Sequence, residues 1–150
     1  MACVPCGDPC SSVSKEDLDR WTNGLKYVLA NQISLKMFED YLHTCKLDSV
    51  DILELWKMCN SLLRYMHHKK IEKESVKIRK DYDAIVDCAT TVEGLTEHQL
   101  RRLMETKKSE PKKILSRVEK LRQTICELMQ HDYELFRKKL LKDHCKVLKK

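Results

Sequence analysis

Glycine and proline are scarce in this chain, and nothing else in it restricts the fold so strongly. Three of each occur in 150 residues, whereas an average sequence carries roughly 12% of the two combined. A sandwich or barrel needs many turns of positive or fixed φ, and a doubly wound sheet needs glycine where strand meets helix. The expected class is therefore all-α. Placement sharpens the expectation: Pro5, Gly7, Pro9 and Gly24 fall in the first 24 residues, which leaves Gly94 and Pro111 to punctuate everything that follows.

Apolar periodicity fills in the elements. Residues 1–13 read as a flexible arm carrying Cys3, Cys6 and Cys10, and residues 14–150 as a single helical domain. Ser14 ahead of Lys15-Glu16-Asp17 has the form of an N-cap with an acidic first turn, and Leu18, Trp21, Leu25, Val28 and Leu29 recur at helical spacing with Gly24 as a break. Ser34 reads as the cap of a helix whose Leu35, Phe38, Tyr41 and Leu42 share a face. Beyond the polar loop Lys46 to Ser49, Ile52, Leu55, Trp56, Cys59, Leu62, Leu63 and Met66 make the cleanest amphipathic stripe, and Ile52 is its first member. It exits through His67-His68-Lys69-Lys70. Ile71, Ser75, Ile78, Tyr82, Ile85 and Val86 define the next face, and Thr91 to Gly94 a turn. Thr96-Glu97-His98-Gln99 is a capping box with Leu95 and Leu100 around it. Pro111 suits a first helical position and opens the stripe Ile114, Leu115, Val118, Leu121, Ile125, Leu128, Met129. Asp132 reads as the cap of a last helix with Tyr133, Phe136, Leu140, Leu141 and Leu148. Seven or more helices of such unequal length suit an irregular domain of two packed bundles better than one symmetric four-helix bundle.

The residues disfavour most catalytic chemistries. There is no glycine-rich phosphate loop, no G-x-S-x-G elbow and no H-E-x-x-H. His67 and His68 are adjacent, so their rings face different sides of a helix and read as solvated. Cys3-x-x-Cys6, with Cys10, has metal-ligand spacing but no evident fourth ligand. Neither a metal nor a cofactor is expected. No apolar run approaches the roughly 18–20 residues of a membrane span, and the first residues lack the basic and apolar regions of a secretory signal, so an intracellular protein with thiols rather than disulfides is expected. Two readings remain for the N-terminal thiols: an untouched arm, or S-acylation that anchors the domain reversibly at a membrane. The net charge of +6 arises at the C-terminal end, where residues 111–150 hold 12 Lys/Arg against 5 Asp/Glu. These cations interleave with an apolar stripe rather than with exposed aromatics, which favours a solvated face over a nucleic-acid surface.

The order of motifs resembles a known family. Trp21-Thr-Asn-Gly-Leu25-Lys-Tyr-Val-Leu29-Ala-Asn31-Gln32, with Leu35, Phe38, Tyr41 and Leu42, followed by Asp51-Ile-Leu53-Glu54-Leu55-Trp56 and Cys59, is similar to the opening half of a regulator of G-protein signalling (RGS) domain. Ile78-Arg-Lys-Asp-Tyr82 and Ile125-Cys-Glu-Leu128-Met129, with Asp132, Tyr133 and Phe136, resemble its second half. The likeness spans about residues 20–145. It implies an all-α, RGS-type irregular bundle of about nine helices in two subdomains. It also implies a protein that binds the switch regions of a GTP-loaded heterotrimeric G-protein α subunit and accelerates GTP hydrolysis without chemistry of its own; with the acylation reading of the arm, a cytoplasmic monomer reversibly associated with the inner face of the plasma membrane is expected. Carried over by position, the implied contacts are Ser49, Asp51, Ile52, Glu93, Leu128 and Asp132. The family's contact asparagine is Ile52 here, a second contact asparagine falls at or near Glu93, and its contact arginine aligns with Leu135, leaving Arg137 out of register. Cys59 matches a family cysteine that is acylated in some members, although its place on the core stripe reads as a buried thiol. The alternative function is a protein-interaction scaffold of the same fold without G-protein activity.

Overall fold

A computed structural model describes residues 13–144. The arm cysteines Cys3, Cys6 and Cys10 lie outside these residues. Val13, expected at the end of the arm, is buried. It flanks the cap formed where Ser14 Oγ accepts from the Asp17 N–H at 3.1 Å, and with Leu18 it occupies the staple positions around that cap.

The described residues contain eight α-helices and no strand, one helix fewer than the nine that the family resemblance implies. They are α1 (Lys15–Trp21), α2 (Leu25–Leu29), α3 (Gln32–Cys45), α4 (Val50–Tyr65), α5 (Ser75–Ala89), α6 (Glu97–Thr106), α7 (Pro111–Leu128) and α8 (Gln130–Asp143), with short 3-10 turns at Leu47–Ser49, Met66–His68 and Ile71–Lys73. By contact density the chain divides into Met1–Leu47 with Gln130–Lys150, and Asp48–Met129. Each unit has its own core.

In the first unit α1, α2, α3 and α8 come together. Phe136 on α8 lies at a 5.1 Å ring-centroid distance from Phe38 and 5.5 Å from Tyr41, both on α3. The buried Tyr133 hydroxyl donates to the Trp21 carbonyl at 2.7 Å. Arg137 Nε donates to the Thr22 carbonyl at 2.7 Å, placing a cation at the C-terminal end of α1, where the helix dipole favours it. Two expectations need correction. Ser34 does not cap α3: Asn31 does, its Oδ1 accepting from the N–H groups of Ile33 and Ser34. Ser34 is buried, and its hydroxyl donates to the Val28 carbonyl at 2.7 Å, tying α3 back to α2. Asp132 is not a cap either. It sits inside α8, because the break from α7 occurs three residues earlier, at Met129.

The second unit is an antiparallel set of four helices. Tyr65 Oη donates to Glu74 at 3.2 Å where α4 ends and α5 is about to begin. At the opposite end of the pair, the Asp51 carboxylate bears on the Cys88 thiol. Arg122 Nη1 donates to Asn60 Oδ1 at 2.9 Å and the Trp56 side chain offsets part of the rise that burial imposes on the Cys126 thiol, which sets α7 antiparallel to α4. Tyr82 Oη donates to the Leu103 carbonyl at 2.6 Å and Arg79 to the Lys107 carbonyl, which runs α6 against α5. The core is the α4 stripe Leu53, Leu55, Trp56, Cys59 and Leu62 together with Ile78, Tyr82, Ile85, Ile114, Val118 and Ile125. The capping box at Thr96/Gln99 forms with both bonds present, and Pro111 takes the first position of α7. Ile71 does not share a helix with Ile78. It belongs to a separate 3-10 turn, and α5 starts only at Ser75.

Candidate functional site

Antiparallel packing gathers helix ends, and one end of the second unit holds five of the six expected contact residues. Ser49 closes a 3-10 turn and stands at the N-cap position of α4. Asp51 is exposed in the first turn, where a carboxylate opposes the positive end of the helix dipole. Ile52 is half-buried and Leu53, its neighbour, fully buried.

α5 delivers the next part. Burial raises the Cys88 thiol above its ordinary value, and the Asp51 and Glu54 carboxylates raise it further, so the start of α4 lies beside the last turn of α5. Thr91 Oγ1 donates to the Cys88 carbonyl at 2.7 Å and Val92 is buried, which fixes the turn that presents the exposed Glu93. Gly94 follows at φ 108°, a conformation that side-chain-bearing residues rarely adopt. A Cβ there would stand 3.3 Å from both methyls of Leu128, so the end of α7 packs directly on this turn. Ser49, Asp51, Ile52, Glu93 and Leu128 are thus brought to one end of the unit.

Asp132, the sixth, belongs to the first unit and is only 8% exposed. Its charge, with that of Cys45, adds to the burial that raises the Tyr41 hydroxyl. Arg137, out of register in the family comparison, has its Nε on the Thr22 carbonyl. Cys59 is fully buried and its thiol is pushed up to about 12, chiefly by desolvation, so almost none is thiolate at neutral pH.

Sequence reasoning missed the electrostatic character of this end. Asp48, Asp51, Glu54, Asp87, Glu93 and Glu97 are all exposed on the elements that converge there. The opposite end of the same helices carries Arg64, Lys69, Lys70, Lys73, Lys108 and Lys112, also exposed, which outnumber the exposed Glu72, Glu105 and Glu110 there. The unit is therefore polarised along its axis, acidic at the candidate site and basic at the far end. The signal is present in the sequence as acids early in α4 and late in α5, but it becomes a surface only once the helices alternate in direction.

The described residues thus define an all-α protein in which no helix is long and apolar enough to cross a membrane, and in which no three His, Cys, Asp or Glu side chains are grouped to hold a metal ion. No family model, no curated protein and no solved structure matches the chain.

Proposed function

We propose that this is a divergent regulator of G-protein signalling, which binds the switch regions of a GTP-loaded α subunit through the acidic end of residues 48–129 and accelerates its GTP hydrolysis. The observation that carries the reading is the convergence of Ser49, Asp51, Glu93 and Leu128, four positions that the motif order implies as contacts. Division of the chain into two compact units agrees with the two subdomains that the resemblance implies. Such a regulator supplies no reacting group. It holds the partner's switches, glutamine and arginine in transition-state geometry, so catalysis comes from preorganisation.

The acceleration is weak in this reading. A carboxamide that hydrogen-bonds a specific partner group contributes about 1–3 kcal/mol when its loss leaves that group unpaired, and Ile52 has no such group. Ile52→Asn should raise single-turnover hydrolysis by roughly tenfold or more, each 1.4 kcal/mol of transition-state stabilisation being a factor of ten. The test of the reading itself is binding to GDP-loaded, GTP-analogue-loaded and fluoride-activated α subunits, with hydrolysis rates alongside. Preference for the fluoride-activated form supports it, and no binding together with no rate change overturns it.

A second reading, a scaffold of the same fold without G-protein activity, is favoured by Ile52 itself and by the burial of Asp132. Binding to every nucleotide state alike, or to none, would select it. Reversible membrane association through acylated Cys3, Cys6 and Cys10, in a cytoplasmic monomer, belongs to the same proposal. Retention of a metabolic palmitate label that triple replacement abolishes is its check.

A further inference from the structure

At the basic end of the second unit, about 20 Å along α4 from Asp51 at 1.5 Å per residue, a groove of about 660 Å³ opens between the end of α4, the 3-10 turns that follow it and the first half of α7. Its apolar surface comes from Leu63, Met66, Ile71 and Leu115. Arg64, Lys69 and Arg122 stand around it with the exposed rings of His67 and His68, and Glu119 is the one acid in its lining. These cations are not neutralised locally. Lys57 and Lys77 elsewhere on the unit pair with Glu54 and Asp81, whereas Arg64 and Arg122 have no carboxylate within ion-pair distance among the described residues. Arg122 is instead held by the Asn60 side-chain oxygen at 2.9 Å. Its guanidinium is fixed in place while keeping N–H groups in hand, the arrangement that suits a planar carboxylate.

The occupant must satisfy both halves of this lining. A free phosphate or sugar phosphate would meet the cations and leave the apolar floor in water. A flat anionic bilayer would meet the rim and not reach the floor. An amphipathic helix with an acidic face does both, its apolar residues at i, i+3, i+4 and i+7 seated in the groove and its carboxylates on the rim. We propose that this groove docks an acidic amphipathic helix of a partner protein. The site is distinct from the acidic end, and both can be filled at once.

The probe is a fluorescein-labelled 16-residue peptide with leucine at those spacings and glutamate elsewhere, followed by anisotropy against the full chain. Saturable binding that weakens with salt, falls at least tenfold in Arg64→Glu and in Lys69→Glu, falls also in Leu115→Ala, and vanishes when every glutamate is replaced by glutamine is the expected result. Arg64 and Lys69 are exposed, so both charge reversals should keep the wild-type circular dichroism. The proposal is overturned if the peptide does not saturate, if the charge reversals bind it as the wild type does, or if inositol hexakisphosphate or phosphatidylserine vesicles displace it as well as unlabelled peptide does. Retention of fluoride-activated α-subunit binding by Arg64→Glu, alongside loss of the peptide, separates this site from the acidic end.

Discussion

The two units solve the same packing problem with different chain economies. The second is one continuous stretch, Asp48–Met129, whose first and last helices are joined by the Arg122–Asn60 bond across 62 residues and in which the buried Tyr82 hydroxyl reaches a carbonyl 21 residues away. The first is assembled from both ends of the chain, and its matching bond, from the buried Tyr133 hydroxyl to the Trp21 carbonyl, spans 112 residues. Both tyrosines are 1% exposed and both bonds are short, 2.6 and 2.7 Å. What differs is the length of chain that must be ordered before the bond can form, and loop-closure entropy penalises the longer one. The candidate site lies on the locally built unit, and the buried Asp132 on the other.

The largest expected effect is Phe136→Ala. It removes a buried ring from the Phe38 and Tyr41 contacts and should cost about 3–5 kcal/mol by denaturant titration. Hydrogen exchange should rise first in residues 15–45 and 130–143. A simultaneous rise across α4 to α7 would show that the two units unfold together. Next come the paired variants Tyr133→Phe and Tyr82→Phe, each leaving a buried carbonyl unpaired for about 1–3 kcal/mol. Equal equilibrium losses with unequal kinetics are expected: the bond between chain ends forms late, so Tyr133→Phe should mainly speed unfolding, and Tyr82→Phe should mainly slow folding. Stopped-flow chevrons decide this.

Gly94→Ala is smaller, about 1–2 kcal/mol, because it combines a strained φ with a 3.3 Å approach to Leu128. It should also weaken α-subunit binding more than its stability loss accounts for, which titration of the folded variant would measure. The smallest effect at neutral pH is electrostatic. The Cys59 thiol rises from 9.0 to about 12 on folding, so the unfolded chain releases its proton first as pH increases. The stability this contributes is whole below pH 9 and is lost between pH 9 and pH 12. Comparing wild type with Cys59→Ala, the alkaline loss should be steeper in wild type by up to about 1.4 kcal/mol per pH unit.

The second unit was also the more legible from sequence, and for the same physical reason. Its stripes follow i, i+3, i+4, i+7 over several turns, and its boundaries carry local chemistry: the Thr96/Gln99 box and Pro111 act within their own turns. The first unit hides its boundaries. Asn31 and Ser34 are both capable caps, and the choice falls to the residue whose side chain is not drawn to the Val28 carbonyl. The α7 to α8 break at Met129 has no glycine or proline to mark it, so Asp132 takes on the look of a cap. Of the candidate site, Ser49, Asp51, Glu93 and Leu128 were picked out by motif order and fall at one end of the unit, whereas the acidic field around them required helix direction.

The interleaved order of the units also bears on synthesis. Translation proceeds from the N-terminus, so α1 to α3 emerge first and must wait for α8, the partner that supplies Phe136, Tyr133 and Arg137. All of α4 to α7 emerges in the interval. A chain truncated after Met129 and released would therefore carry the whole sequence of the second unit while the carbonyls of Trp21 and Thr22 lack the side chains that cover them.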